Sequence, residues 1–460
     1  MTRDVTALTI VGLGPGDPGL RTVDAARTLA SADRIILRTG IHPGVADLLA
    51  DSRVTTCDDL YVAGRDFDTV YAAVADRVVD AARSGPGSVV FAVPGHPRFG
   101  ERSVGLVVER ATAAGIPVAV QGAVSLVDAV ATAVGHDPVA EQAQMVDAAD
   151  LAAILDAEPF AGGQLAVDPS RPLLVTQLYD AEKAAATKLA LSRLYPDDHP
   201  VLVVRAAGVP GGEEIVEVPL HGLDRLAVDH LTSAWVSPLP RLDAVRSPQT
   251  LQRIVARLRA PDGCPWDREQ THQTIRKAVI EEAYETADAI DADDPENLAE
   301  ELGDLLLQVA LHSQIAEEAG TFTLEDVHAH VSAKLLRRHP HVFGDVDAST
   351  PADVVRTWDA VKAAERAAAG ASPKPTNPLE RLPRSMPAFD KAVVLLTPRK
   401  GEALREVDAA ATAAAGNAIL DAIANAAAVG IEPEAALAAA LRQRYGPTND
   451  NPTPDGKERG

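Results

Sequence analysis

Five carboxylates stand in two short clusters of the sequence, EEAYE and ELGD. They are Glu281, Glu282, Glu285, Glu301 and Asp304. Carboxylate oxygens are the ligands that Mg²⁺ prefers, and a bound cation removes the repulsion between clustered carboxylates. The two clusters therefore indicate a magnesium site in an enzyme that acts on phosphates.

The first cluster is predicted to lie on an amphipathic helix. Residues 275–290 include no Gly or Pro, and apolar residues recur among them at helical spacing. At about 100° per residue, Glu281, Glu282 and Glu285 fall within an arc of about 100°, and Glu282 lies inside the apolar arc. The three side chains are therefore expected to converge on one stripe of the helix.

The second cluster is predicted to lie on the next helix, residues 296–319. Asp294 supplies an N-cap and Pro295 the first helical residue. Glu301 and Asp304 share a face that continues into apolar residues, so this pair is also expected to turn inward. The alternative for either cluster is a solvated acidic helix face, but two inward-turned clusters on adjacent helices favour bound Mg²⁺.

The clusters and their surroundings resemble the MazG family of nucleoside triphosphate pyrophosphohydrolases. The resemblance covers about residues 251–368. GCPWD at 263–267 precedes the first cluster, KLLRRHPHVF at 334–343 follows the second, and Trp358 and Lys362 recur at the family's spacing. It implies a helical bundle in which Mg²⁺ assists the hydrolysis of NTPs to NMP and pyrophosphate. It also implies a homodimer, because MazG helices generally complete their bundle with another copy.

The resemblance implies a role for each carboxylate. Glu282, Glu285, Glu301 and Asp304 would be metal ligands, and Glu281 would orient or deprotonate the attacking water. Hydrolysis at a phosphate needs an activated water, and it needs cations that neutralise the transferred group and the leaving pyrophosphate. The chemistry is consistent with this division of roles.

Basic and aromatic residues after the second cluster are candidate substrate ligands. They are Lys334, Arg337, Arg338, Trp358 and Lys362. Arginine clamps phosphate oxygens with two hydrogen bonds, and an indole face stacks on a nucleobase. The alternatives are a solvated helix face for Lys334, Arg338 and Lys362 and plain core packing for Trp358.

The first half of the chain has the alternating pattern of an α/β domain. Short apolar strands alternate with helices from Ala7 to about Leu242. The predicted strands are 8–11, 34–37, 88–93, 117–121, 172–175 and 201–205. A Gly-rich turn at 12–19 follows the first strand and permits close approach of the backbone to a ligand.

Three loops of this region together resemble those of the tetrapyrrole (corrin/porphyrin) methylase superfamily. They are GLGPGD at 12–17, VPGHP at 93–97 and GAVS at 122–125. In that superfamily such loops line an S-adenosylmethionine cleft between two α/β subdomains. The resemblance implies that the cofactor contacts are Gly12, Gly14, Gly16, Asp17, Gly95, His96 and Ser125.

Two departures limit what this second resemblance implies. PGHP at 94–97 replaces the SGDP typical of precorrin methylases, and QGAVS at 121–125 replaces the usual PG[IV]SS. S-adenosylmethionine-dependent methyl transfer to a tetrapyrrole-like acceptor and a non-catalytic scaffold or regulatory role therefore both stay open.

The C-terminal residues 387–445 resemble a degenerate second MazG repeat. Ala414 stands where Glu301 would be, Asn417 stands where Asp304 would be, and no EExxE motif precedes them. Catalysis by this repeat is not expected. Its Ala-rich helix is a candidate for packing against the active repeat or at a dimer interface.

Composition and charge narrow the class of protein. The chain of 460 residues is 46% hydrophobic, has no apolar run of membrane-spanning length and no secretion signal, and has two distant cysteines. These features predict a cytoplasmic protein without a disulfide framework. The formal net charge of −23 argues against a general nucleic-acid binder.

The predicted organisation is an α/β methylase-like domain of two subdomains followed by all-α regions. The predicted boundaries are 1–245 for the methylase-like domain, 246–368 for the MazG domain, 369–386 for a linker, 387–445 for the degenerate repeat and 446–460 for a disordered tail. The predicted function is Mg²⁺-dependent pyrophosphohydrolysis that removes noncanonical or surplus NTPs.

Overall fold

The computed structural model describes residues 8–63, 66–157, 165–368, 377–396 and 409–445. The chain divides into two compact units, Met1–Leu324 and Glu325–Gly460. The predicted tail at 446–460 and part of the predicted linker lie outside the described residues. The domain boundaries stay predictions, and the one at 245 lies inside the first unit.

The first unit begins with a parallel five-stranded sheet. Its strands are β1 (Leu8–Gly12), β2 (Arg34–Leu37), β3 (Val54–Thr56), β4 (Val89–Val93) and β5 (Val118–Val120). The strand order is β3-β2-β4-β1-β5. Every residue of β4 is buried, as expected for a parallel strand that is covered on both faces. The helices of this region are α1 (Val23–Ser31), α2 (Asp58–Ala63), α3 (Phe67–Arg83), α4 (Arg102–Ala113) and α5 (Leu126–Val134).

A second, mixed sheet follows. Its strands are β6 (Gln144–Asp147), β7 (Leu173–Thr176), β8 (Pro200–Arg205), β9 (Glu214–Pro219) and β10 (Thr232–Val236). The order is β6-β7-β10-β8-β9, in which β6 and β7 are parallel and the other pairs antiparallel. Helices α6 (Ala148–Ala157) and α7 (Ala181–Leu191) belong to this region. The predicted α/β class and the six predicted strands are confirmed, and β3, β6, β9 and β10 are additional.

The first unit ends in a helical region. Its helices are α8 (Pro248–Arg259), α9 (Pro265–Glu269), α10 (Arg276–Asp291) and α11 (Pro295–Glu318). The two helices predicted to carry the carboxylates, α10 and α11, are confirmed within one residue at each end. Their shared core contains Val255 of α8, Ile275, and Ala310 and Leu311 of α11.

Helix α8 is also bonded to the second sheet region. Arg253 donates to the Asp168 carboxylate at 3.0 Å and to the Ser170 hydroxyl at 3.2 Å. The Gln144 side chain, at the start of β6, bonds both the N–H and the carbonyl of Asp168 at 2.8 Å. The same helix therefore packs against the carboxylate-bearing hairpin and against the α/β region.

The described part of the second unit is helical. Its helices are α12 (Leu324–Arg338), α13 (Pro340–Phe343), α14 (Pro351–Ala368), α15 (Ala388–Leu396), α16 (Ala409–Ala428) and α17 (Pro433–Tyr445). Ala388, Ala392 and Leu441 form a small buried cluster. Among the described residues, no single helix has the length and hydropathy of a membrane-crossing segment, and only the bent pair α16 and α17 reaches that threshold jointly.

Candidate functional site

The helical hairpin of α10 and α11 positions the carboxylates. Asp294 ends the connection between the helices, and its carboxylate accepts hydrogen bonds from the N–H groups of Glu296 at 3.2 Å and Asn297 at 3.1 Å. Pro295 occupies the first helical position, where its missing N–H costs nothing. This cap fixes where α11 begins, and hence which of its residues oppose α10.

Three carboxylates converge between the two helices. Ligand oxygens of Glu282, Glu285 and Glu301 lie within 4.8 Å of one another, and among the described residues no other set of three or more acidic, His or Cys side chains does so. Glu282 and Glu301 are half-buried and Glu285 is exposed. Asp304 is half-buried on the same stretch of α11.

The cluster disfavours its own ionisation. Loss of solvation, followed by the charges of Asp304 and Glu285, raises the pKa of Glu282 above its ordinary value. Loss of solvation, followed by the charges of Glu285 and Asp304, likewise raises the pKa of Glu301. Both shifts are those expected of crowded and partly desolvated carboxylates.

Glu281 lies outside this convergence. Its side chain is half-exposed and forms an ion pair with Lys277, one turn earlier on the same helix. Its predicted role in orienting or deprotonating water therefore stays a prediction, and in this conformation the carboxylate is engaged by a neighbouring cation.

Gln308 lies one turn beyond Asp304 in the interior of the hairpin. The residue is 8% exposed, and among the described residues its Oε1 has no hydrogen-bond partner. The polar stripe of α11 therefore continues past the carboxylates toward the far end of the hairpin.

Two histidines meet at that far end. The Nδ1 atoms of His272, in the turn before α10, and of His312, on α11, lie 2.8 Å apart. Burial, followed by the charge of His272, lowers the pKa of His312. Arg259 of α8 fixes the same turn, since its guanidinium bonds the carbonyl of Gln270 at 3.2 Å and pairs with Glu318 at 2.7 Å.

The predicted phosphate ligands lie on α12 and α14 of the second unit. Arg337 and Arg338 both pair with Glu365 of α14, at 2.5 and 2.8 Å. These two pairs lower the pKa of Glu365 to about 2, with Arg338 as the largest cause. Lys334 is exposed on the same helix. The arginines are therefore oriented by a carboxylate and are not free side chains.

The predicted base-stacking residue is half-exposed. Trp358 has 38% of its surface exposed, so it is not a core residue of this chain. The ammonium of Lys362 lies 4.4 Å from the centre of the indole ring. Trp358 and Lys362 therefore form one cation–π unit on α14.

In the N-terminal region, the loops that follow β1, β4 and β5 meet. Gly14 and Gly95 exchange two backbone hydrogen bonds of 3.2 and 2.8 Å. A Cβ at Gly12 would lie 2.3 Å from the Gly95 carbonyl oxygen and 2.5 Å from the Ala123 Cβ. His96 lies beside this contact, and its Nδ1 accepts from the N–H of Arg98 at 3.0 Å.

Two of the predicted cofactor contacts act as N-caps, Asp17 for the short 3₁₀ helix Pro18–Leu20 and Ser125 for α5. The Asp17 carboxylate accepts from the N–H of Gly19 at 2.7 Å. Ser125 is buried and forms a capping box with Asp128 at the start of α5. The other predicted contact in the turn, Gly16, packs against Val209 in such a way that a Cβ would meet that side chain. These three positions shape the loops.

Sequence reasoning missed several residues of both sites. Glu365, His272 and His312 were not predicted, although the antiparallel register that brings Glu282 to Glu301 also brings position 272 to position 312. His42 was also missed. It is buried, its Nδ1 accepts from the Gly44 N–H at 3.2 Å, and its imidazole also hydrogen-bonds the backbone of Pro15 in the Gly-rich turn. Burial lowers the pKa of His42 to about 4.

Comparisons with known proteins match both parts of the chain. The family model described as Tetrapyrrole (Corrin/Porphyrin) Methylases matches residues 7–224, and the one described as MazG nucleotide pyrophosphohydrolase domain matches residues 270–343. Among solved structures, uroporphyrin-III C-methyltransferase from Thermus thermophilus is similar with a TM-score of 0.38 at 20% identity, covering 53% of this chain and 99% of that chain.

Two curated relatives are similar over different lengths. The nucleoside triphosphate pyrophosphohydrolase of Escherichia coli (strain K12) is 46% identical over 143 residues, which are 31% of this chain and 53% of that protein, so the match spans about half of its length. The uncharacterized protein YabN of Bacillus subtilis (strain 168) is 39% identical over 391 residues, which are 84% of this chain and 76% of YabN. The chain belongs to the YabN family, in which a tetrapyrrole methylase-like domain is fused to a MazG domain.

Proposed function

We propose that the protein is a Mg²⁺-dependent nucleoside triphosphate pyrophosphohydrolase that converts NTPs to NMP and pyrophosphate and removes noncanonical or surplus nucleotides. The observation that carries the proposal is the convergence of Glu282, Glu285 and Glu301 within 4.8 Å, with Asp304 beside them. The naming of MazG relatives as nucleoside triphosphate pyrophosphohydrolases supports the choice of substrate class.

The residues present fit a hard divalent cation. Glu282, Glu285, Glu301 and Asp304 would hold Mg²⁺, because they offer oxygen ligands only and because a cation would offset the desolvation and repulsion that raise the pKa values of Glu282 and Glu301. Bound Mg²⁺ supplies a more acidic water and neutralises phosphate charge.

The chain's own side chains supply the rest of the chemistry. Arg337 and Arg338, oriented by Glu365, are donors for phosphate oxygens, and Lys334 adds an exposed charge on the same helix. The indole of Trp358 offers a half-exposed face for a nucleobase. Glu281 is a candidate base for the water once its carboxylate leaves Lys277.

Removal of one ligand carboxylate tests the activity. Pyrophosphate release by the full chain from a panel of NTPs is expected to fall by about 100-fold or more in Glu282→Gln and in Asp304→Asn, because charge stabilisation at the phosphate is lost. Asp288→Asn removes an exposed carboxylate of the same helix and is expected to keep the wild-type rate. Equal rates in all four proteins would end the proposal.

The raised pKa values predict how metal and pH affect stability. Because the pKa values of Glu282 and Glu301 are higher in the folded chain, the metal-free protein loses stability as pH rises through them. Addition of Mg²⁺ in place of EDTA is therefore expected to raise Tm more at about pH 8 than at about pH 5. Differential scanning fluorimetry measures both shifts. The shift at high pH should shrink in Glu282→Gln, and an undiminished shift contradicts the assignment.

We also propose that a second copy of the chain covers the outer side of the hairpin. Six large apolar side chains of α10 and α11 are 37% to 56% exposed. A monomeric soluble protein rarely exposes so many apolar side chains on one pair of helices. The six are Val279, Ile280, Tyr284, Leu302, Leu306 and Val309. A homodimer would bury them and match the expectation for MazG helices.

Sedimentation velocity tests this assembly. The wild-type chain is expected to sediment at twice the monomer mass. Leu306→Lys is expected to shift it toward monomer, since a buried unpaired charge is costly. Leu189→Lys, at an exposed leucine of α7, serves as the control and should sediment as the wild type does. A monomeric wild type would refute the homodimer.

A second candidate function is S-adenosylmethionine binding by the N-terminal region. The glycines at Gly95 and Gly122 favour it, since a position without a side chain leaves room for a ligand. A Cβ at Gly95 would meet nothing within 4 Å, and a Cβ at Gly122 would meet only His96 at 3.8 Å. Space is therefore open beside His96. Methyl transfer to a tetrapyrrole-like acceptor is the reaction that such binding would serve.

Calorimetric titration of the full chain with S-adenosylmethionine tests this binding. Gly122→Val fills the open space beside His96 and is expected to abolish the heat without unfolding the protein. Gly105→Ala lies on α4, where a Cβ also meets nothing, and should bind as the wild type does. Absence of heat with the wild type would leave the region as a scaffold or regulatory domain.

A further inference from the structure

We infer that His272 and His312 share one proton between their Nδ1 atoms, and that this pair is a positioning device that holds the carboxylate hairpin closed. The inference rests on the proposed hydrolase function, for which the histidines act through the carboxylates and touch neither metal nor substrate. It follows from the geometry of the two rings, from the architecture of the hairpin and from the repulsion within it.

The two imidazoles lie head to head in one plane. Their planes differ by 6° and their centres are 5.1 Å apart, which is the 2.8 Å between the Nδ1 atoms plus one ring radius at each end. Face-to-face stacking at that Nδ1 separation would bring the centres much closer. The arrangement is therefore a linear N–H···N hydrogen bond, in which one ring donates and the other accepts.

The pair closes the open end of the hairpin. At the other end, the turn before Asp294 joins α10 to α11 covalently. His272 precedes α10 and His312 lies two turns beyond Asp304 on α11, so the four carboxylates stand between the covalent connection and the histidine bond. Ile275 and Leu311, which are near His272 and His312 in the sequence, lie in the hairpin's core.

The histidine hydrogen bond opposes the repulsion between the carboxylates of the two helices. Glu282 and Glu301 lie on opposite helices, and the charges around them raise both of their pKa values. The same repulsion drives the helices apart when the cluster is ionised and metal-free. A bond across the far end opposes that separation and keeps the ligands at the spacing that a cation requires.

The hydrogen bond exists only while one histidine is neutral. Two imidazoliums have no acceptor between them, and they repel. Burial, followed by the charge of His272, already lowers the pKa of His312. A depressed histidine pKa contributes stability that is present above the unfolded value, about 6.5, and that is lost as pH falls through the folded value.

Charged side chains lie on each of the neighbouring elements α8, α9, α10 and α11. From α8, Arg259 pairs with Glu318 of α11. At the start of α10, Lys277 pairs with Glu281, and Arg276 is exposed. The short helix α9 adds Asp267, Arg268 and Glu269. Burial and the partner histidine are the causes that shift the pKa of His312.

Mn²⁺ binding to the full chain, measured by electron paramagnetic resonance from about pH 5.5 to 8, tests the positioning role independently of hydrolysis. His312→Ala is expected to weaken Mn²⁺ binding at about pH 7.5 by about 10-fold or more, since small displacements of ligand groups are costly. The double variant His272→Asn/His312→Asn places an amide where each Nδ1 stood. The double variant should restore the Mn²⁺ affinity to within about three-fold of the wild-type value. It should also lack the extra decrease in Mn²⁺ affinity that the wild type shows as pH falls and both histidines become protonated.

His328→Asn, at an exposed histidine of α12, is the control and should follow the wild-type pH profile. Superimposable profiles for the wild type and the double Asn variant would overturn the proposal, as would unchanged affinity in His312→Ala. Circular dichroism identifies a variant that fails to fold, in which case the Asn variant decides alone. Pyrophosphate release, measured in parallel, separates the proposed hydrolase function from the positioning role of the histidine pair. If neither the wild type nor any variant hydrolyses NTPs, the proposed function fails, and Mn²⁺ binding still decides the positioning role.

Discussion

Repulsion among the carboxylates of α10 and α11 is the constraint on which the helical region depends. The stretch in which the two helices present carboxylates to each other does not stabilise their contact, because loss of solvation and like charge both raise the pKa values of Glu282 and Glu301. The hairpin is held by interactions away from the carboxylates, which are the Asp294 cap, the core that Ile275 shares with Ala310 and Leu311, and the contact of α8. The site is thus built at the expense of local stability.

The N-terminal region has a candidate site that is formed mainly by glycine backbone and not by charged side chains. The loops there contact each other through their backbones, since Gly95 lies against both Gly12 and Gly14. The nearby side chains of Asp17 and Ser125 act as N-caps. No carboxylate repulsion has to be overcome there, and every residue of the neighbouring strand β4 is buried. A glycine-rich contact of this kind tolerates little added volume, whereas the carboxylate hairpin tolerates little lost charge.

Much of this arrangement follows from local sequence. The helical period and the Asp294-Pro295 start locate α10 and α11, and they also indicate that Glu282 and Glu301 turn inward. The roles of Asp17 and Ser125 as caps, the engagement of Glu281 by Lys277, and the pairing of Arg337 and Arg338 with Glu365 depend on which atom each side chain reaches. Strands such as β9, which is largely exposed, form only because a neighbouring strand provides the hydrogen bonds.

Helix α8 contacts both the α/β region and the carboxylate hairpin, which limits how the two can be exchanged. Its Arg253 is bonded into the loop that Asp168 and Gln144 organise, while its Val255 lies in the core of the hairpin. A junction of this kind is shared structure and not a tether, so insertions or deletions at it would disturb both halves at once. Exchange of either half for a homologous domain would require compatible residues on both sides of one helix.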